Sequence, residues 1–211
     1  SDVCSSDLFV GGAVAGNGLV VLAPAYADHV GVFNVSSLSV ELVDISATIT
    51  IDSKFIGAVT APNGKVVFVP RNADGVGMYD ANTSAFTYHD ISSTVTKNGV
   101  PDSTSSFNDK FFSGCLAPDG LVVLAPYDAD GIGLFNADTE TFAWVDISAT
   151  LSGSIKFRAT TLAPNGLVVF SPRGAPRPSP DRFPSATRLR PPSMRVADTV
   201  LLSARSQRTA T

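Results

Sequence analysis

The feature that most constrains this chain is a block of about 46 residues that recurs along it. Two copies read KFIGAVTAPNGKVVFVPRNADGVGMYDANTSAFTYHDIS from Lys54 and KFFSGCLAPDGLVVLAPYDADGIGLFNADTETFAWVDIS from Lys110. A third, FVGGAVAGNGLVVLAPAYADHVGVFNVSSLSVELVDIS, starts at Phe9, and a partial one, KFRATTLAPNGLVVFSPR, at Lys156. Self-similarity at a fixed period means that one supersecondary unit is stacked several times. Gly18, Gly64, Gly120 and Gly166 mark the register, at spacings of 46, 56 and 46 residues. Pro24, Pro70, Pro126 and Pro172 keep the same spacings, as do Asp44, Asp90 and Asp146 of an Asp-Ile-Ser element for the first two. The long spacing reflects one insertion of ten residues within Lys97–Asn108, a polar stretch that reads as a lengthened loop. Loops lengthen at small entropic cost.

Within the second unit, four short strands are predicted. Phe55 to Ala61 is apolar and ends at the turn Pro62-Asn63-Gly64; Lys65 to Pro70 is β-branched and aromatic, with proline where a strand end needs no ladder donor. Asn72 to Gly75 and Asp80 to Ser84 turn the chain around the strand Val76–Tyr79, and Ala85 to Ile91 forms the outermost strand. No window carries a sustained 3.6-residue apolar stripe. Four antiparallel strands in a unit of this length are a β-propeller blade. The first strands (FVGGAVA, FIGAVTA, FFSGCLA, FRATTLA) are rich in small residues, as strands converging on a common axis require. The fold class is all-β, about three and a half four-stranded propeller blades. The units are 9–53, 54–109, 110–155 and a truncated 156–173.

Both ends break the pattern. Ser1 to Leu8 (SDVCSSDL) matches the translation of a common sequencing-adapter oligonucleotide and is expected to be an assembly artefact. Residues 174–211 hold seven arginines, six prolines and no lysine, against five lysines and three arginines in 1–173. They are expected to be a disordered or out-of-frame tail. Propellers close with about four to eight blades, so the chain is expected to be a fragment of a longer propeller.

The net charge is −4 overall; the tail contributes seven Arg and two Asp, or +5, which leaves −9 for residues 1–173. A body this acidic repels a phosphate backbone, so nucleic acid is not an expected partner. No apolar run reaches the length of a membrane span, and no membrane partner is expected. Cys115 stands on a predicted inner strand where other copies carry Ala13, Val59 and Thr160, and is read as a small packing residue.

No phosphate loop, nucleophile elbow or metal-binding His pair is present, so no catalytic, cofactor or metal residue is assigned and no cofactor is expected. The recurring candidates are Asp28, Asp74 and Asp130, and Lys54, Lys110 and Lys156. A site on a propeller is expected to break the repeat, because one ligand is held by unlike groups from different blades. The three acids are therefore read first as Asx-type turn residues, with repeated ligand or Ca²⁺ binding as the alternative. The lysines are read as solvated residues at strand starts, or else as a cationic ring at the axial opening. Asp44, Asp90 and Asp146 are expected to bond across the blade edge, while His29 and His89 read as surface substitutions.

The stretch APNGKVVFVPRNADGVGMYDANTSAFTYHD resembles the propeller repeats grouped as NHL and YVTN, and is similar to propellers with closely repeated LAPNG motifs. The resemblance covers Phe9 to Arg173. It implies a non-catalytic interaction scaffold that offers its axial face to a protein, peptide or glycan. The alternative it implies is a gluconolactonase-like hydrolase with an axial divalent metal held by unlike Glu, Asn and Asp residues from separate blades. Only Glu41 and Glu140 are available here, both on predicted outer strands, which disfavours the enzyme.

Overall fold

The computed structural model describes residues 8–102 and 109–173. Expectations that fall on 1–7, 103–108 and 174–211 lie outside the described residues. The first unit forms a four-stranded antiparallel sheet of β1 (Phe9–Val14), β2 (Val20–Pro24), β3 (His29–Asn34) and β4 (Ser39–Asp44). The second is β5 (Phe55–Thr60), β6 (Val66–Pro70), β7 (Gly75–Asp80) and β8 (Ala85–Asp90). A two-stranded hairpin follows, β9 (Thr96–Lys97) with β10 (Val100–Pro101). The third unit is β11 (Phe111–Leu116), β12 (Val122–Pro126), β13 (Gly131–Asn136) and β14 (Thr141–Asp146), and β15 (Phe157–Leu162) pairs with β16 (Val168–Pro172). The three four-stranded sheets are propeller blades, each in the order first to fourth strand, and first strands of successive units face one another.

Blade-to-blade packing follows from strand alternation. Successive side chains of a strand point to opposite faces, and on β6 and β12 both faces are covered. Val66 and Phe68 of β6 join Val21, Val30 and Ile45 in a core between the first two blades. Val67 and Val69 of the same strand join Phe111, Leu124 and Phe135 in a core between the second and third. A third core sets Val123, Ala125 and Ile132 against Phe157 and Phe170. No blade owns a core; each core belongs to a pair. Phe55 and Phe68 are fully buried, and each contributes about 1.5–3 kcal/mol by leaving water. The flank of the first blade that faces away from the second carries Leu38, Val40 and Leu42, which stay 77%, 58% and 56% exposed.

Small residues permit the approach of neighbouring blades, as the composition of the first strands predicts. At the turn joining first and second strands, Gly16 donates its N–H to the Gly64 carbonyl of the next blade at 2.9 Å. A Cβ on Gly16 would lie 2.8 Å from Gly64 Cα.

Three expectations need correction. The insertion is not a plain loop: Asn98 and Gly99, with φ of 54° and 75°, turn the hairpin that pairs Lys97 with Val100. That Asn-Gly turn with φ positive at both residues is the preferred two-residue hairpin connection. Asp44, Asp90 and Asp146 do not reach across a blade edge; each accepts the N–H two residues on, from Ser46, Ser92 and Ser148, at 2.7–2.8 Å. Strand pairing sets Thr161, not Thr160, in register with Cys115: Cys115 faces Val123 as Thr161 faces Val169.

Candidate functional site

The recurrent lysines and aspartates form one construction. Each lysine lies on the connector from the fourth strand of one blade to the first of the next. Lys54, Lys110 and Lys156 are 0%, 0% and 1% exposed, so they are neither solvated nor a cationic ring for a ligand. Lys54 Nζ meets Asp28 at 2.9 Å, on the preceding blade's turn between second and third strands. Lys110 Nζ meets Asp74 at 3.0 Å, the Asn72 carbonyl at 2.9 Å and Asp102 at 2.8 Å. The ammonium donates hydrogen bonds to Asp74 and to the Asn72 carbonyl, and the Asp102 carboxylate pairs with it by charge; such compensation is what allows the group to be buried. The acids are therefore not simply Asx-turn residues, since Asp28 and Asp74 pair with lysines across a blade boundary.

The third copy departs from this. Lys156 Nζ donates to the Asp128 carbonyl at 3.1 Å, while the Asp130 carboxylate is taken up by the inserted hairpin. It accepts from Asn98 N, Gly99 N and Thr96 Oγ1 at 3.0, 2.8 and 3.0 Å. Burial pushes the Asp130 carboxyl up, but these three donors outweigh it and hold the group below its ordinary value. Burial likewise pushes Lys156 down, against the pull of Asp130 and Asp128. At Asp74 burial again acts upward, and a hydrogen bond with Asp102 and the Lys110 ammonium bring the carboxyl below the usual range.

The same face carries the residues that break the repeat. Two backbone positions per blade are fixed by the architecture while their side chains differ. One lies in the irregular step of each first strand, where pairing shifts after Phe9, Phe55, Phe111 and Phe157; it is occupied by Val10, Ile56, Phe112 and Arg158. Bulges of this kind re-aim a side chain without changing the rest of the strand. The other follows the proline of the second strand: Ala25, Arg71, Tyr127 and Arg173. Their N–H groups donate to the carbonyls of Leu8, Lys54, Lys110 and Lys156 at 2.9–3.0 Å. The carbonyls of Ala25, Arg71 and Tyr127 in turn accept from the N–H of Lys54, Lys110 and Lys156 at 2.8–3.1 Å. Leu8, read from sequence as part of a foreign leader, thus takes the backbone place of a connector lysine.

The side chains at these positions interact along the arc. Arg71 Nε pairs with Asp109 at 2.5 Å. Phe112 and Tyr127 stack with centroids 5.0 Å apart, Arg158 lies 5.0 Å from the Phe112 centroid, and Arg173 Nη1 donates to Tyr127 Oη at 3.0 Å. Repetition directs attention to the conserved-looking turns, so sequence reasoning missed this cluster. The available signal was that Arg71, Arg158 and Arg173, the three arginines of residues 1–173, occupy just these two columns of the repeat.

Other sequence candidates lie elsewhere. His89 is not a surface substitution: its ring packs 5.3 Å from that of Phe135, and Nε2 is 3.4 Å from Glu140, between second and third blades. Glu140 itself stands in the turn before β14 at φ 57°, where it also meets Lys65 at 3.3 Å. Cys115 is half-buried, and burial pushes its thiol up, away from the reactive thiolate. Among the described residues no group of three or more His, Cys, Asp or Glu is placed to hold a metal ion.

No known protein family and no curated protein matches the sequence. The fold does match solved structures. Virginiamycin B lyase from Staphylococcus aureus is similar over 81% of this chain and 51% of its own, with a TM-score of 0.59 at 16% identity. A streptogramin B lyase is similar over 79% and 49%, with a TM-score of 0.58 at 18% identity. The extracellular domain attributed to a hybrid two component system of B. thetaiotaomicron is similar over 81% and 22%, with a TM-score of 0.56 at 14% identity. The chain spans about half the length of the two lyases or less. At these identities the likeness concerns the propeller fold alone.

Proposed function

We propose that the protein is a non-catalytic propeller scaffold, of the NHL- or YVTN-like kind its repeat resembles. Its recognition surface is the face built by the connectors and by the turns between second and third strands. The observation that carries this reading is the division of labour on that face. Lysines and aspartates that recur from blade to blade are spent on holding blades together. Side chains that differ from blade to blade stand on fixed backbone positions along the inner edge. A peptide, protein or glycan spanning two or more blades would meet a different group at each.

The test is a binding screen on immobilised peptide and glycan arrays with the intact chain, followed by substitution on the two faces. Replacing Ile56 or Arg71 by Glu should abolish capture of any ligand found. Replacing Asn17 or Asp119, in turns on the opposite face, should leave capture unchanged. Ligands that respond only to the second pair, or that leave the screen chemically cleaved, would contradict the proposal.

A further inference from the structure

We infer that the end of this face formed by Arg158 and Arg173 binds the carboxylates of an acidic peptide segment. The inference rests on the reading just given and names the ligand class for it.

The argument starts from charge. Residues 1–173 carry a net charge of −9, the chain's −4 less the +5 of residues 174–211. In such a body a cation ordinarily finds an acid. Arg71 has Asp109, Lys97 has Asp128 at 2.7 Å, Lys65 has Glu140, Lys54 has Asp28 and Lys110 has Asp74, while the buried Lys156 donates to the Asp128 carbonyl. Arg158 and Arg173 are the exposed exceptions: among the described residues neither has a carboxylate within ion-pair distance. The nearby acid on the connecting turn, Asp128, is already spent on Lys97 and on the Ile155 N–H at 3.0 Å.

The two guanidinium groups are nonetheless held in place. Arg158 rests on the Phe112 ring, Arg173 donates to Tyr127, and Phe112 and Tyr127 stack on each other, so the four side chains form one cluster. A guanidinium has five N–H donors in a planar fork, and an aromatic face or a single phenol oxygen uses few of them. The remainder point to a carboxylate, which the fork matches with two parallel hydrogen bonds. Holding the arginines before a ligand arrives lowers the entropic cost of binding.

A peptide is favoured over an acidic glycan by what surrounds the pair. Sugars stack on open aromatic faces, yet Tyr127 is only 9% exposed and Phe112 carries Arg158. The other end of the face presents the half-buried aliphatic side chains of Val10 and Ile56. Acidic residues followed by an aliphatic one fit that gradient.

The experiment titrates the intact chain with the acetylated amides of Glu-Glu-Leu and Gln-Gln-Leu and with an oligogalacturonate, followed by NMR of backbone and arginine side-chain N–H groups. The glutamate peptide should shift the Arg158 and Arg173 signals. Arg158→Gln and Arg173→Gln should each weaken it by about tenfold or more. Lys65→Gln, which removes the same charge from the opposite face, should leave affinity unchanged. Equal binding of the glutamine peptide, binding of the galacturonate alone, or no binding of any probe would overturn the inference. Shifts at Val10 and Ile56 that are indifferent to both arginines would overturn it while sparing the scaffold reading. Shifts confined to the opposite face would overturn both.

Discussion

Lys110 and Asp102 meet at 2.8 Å with neither side chain reaching solvent. Asp102 lies within the stretch that holds the ten-residue insertion, and its N–H bonds back to the Val95 carbonyl at 3.0 Å. The insertion therefore does more than lengthen a connector. It brings a second carboxylate to the lysine that joins the second blade to the third. Breaking a buried pair leaves one charge uncompensated, so Lys110→Met should lower unfolding stability by roughly 3–5 kcal/mol. The double variant Lys110→Met/Asp102→Leu should recover part of that loss. Urea unfolding of the parent chain, the double variant and each single variant, Asp102→Leu included, measures the coupling; simple additivity would show that the contact contributes nothing.

The Asp130 carboxyl titrates below its ordinary value in the fold. The folded state then binds fewer protons than the unfolded state once pH falls into the carboxylate range. Its contribution is fully present above the unfolded pKa of about 3.9 and is lost as pH drops through the lower folded value. Asp130→Asn should lower stability at neutral pH and flatten the acid limb of the stability–pH curve, read from unfolding midpoints across pH. An unchanged acid limb would mean that Thr96, Asn98 and Gly99 do not stabilise the ionised form.

A Cβ added at Gly131 would lie 2.4 Å from the Val145 carbonyl oxygen and 2.7 Å from the Trp144 ring. Gly75 faces Tyr88 in the same way, with an added Cβ 2.6 Å from the ring. The first blade has Leu42 in place of the aromatic residue, and there His29 is tolerated. Gly131→Ala should cost about 1–3 kcal/mol by forcing β13 and β14 apart. Pairing it with Trp144→Leu should restore part of the loss by removing the ring contact though not the carbonyl one, which thermal melts of the two variants will show.

Phe111 is fully buried, and the ring of Trp144, the one tryptophan in the chain, lies edge-on 6.3 Å away. Phe111→Ala should cost about 3–5 kcal/mol and shift Trp144 emission to the red. Because Phe111 belongs to a core shared by two blades, fluorescence and far-ultraviolet circular dichroism should report the same transition in the parent chain. Separate transitions would mean that the blades fold as independent units.

The blades were legible from sequence because local chemistry and global arrangement agree. Pro70 ends β6 where a ladder donor is dispensable, and Val66 to Val69 supply a strand buried on both faces. The hairpin of the insertion was also written in the sequence, as Asn98-Gly99, but its flanks are too short and polar to show alternation. The lysine–aspartate contacts were not legible. The lysine and aspartate recur at a fixed separation, 26 residues from Asp28 to Lys54 and from Asp130 to Lys156 and ten more from Asp74 to Lys110, although only the first and last of these pairs meet. Constant separation looks like a local motif, and a single sequence cannot say whether the partner lies in the same blade or the next. The arginine cluster was hidden for the opposite reason: what marks it is departure from the pattern, visible only once the strand register places Arg158 beside Phe112.

Selective acylation of the native protein tests most directly whether the connector lysines join the blades. The chain has five lysines, of which Lys54, Lys110 and Lys156 are buried and Lys65 and Lys97 partly open to solvent. Brief treatment with an amine-reactive ester, followed by peptide mass mapping, should modify Lys65 and Lys97 and spare the other three until denaturant is added. Labelling of Lys54, Lys110 and Lys156 in the native protein at the rate of the unfolded chain would contradict the account.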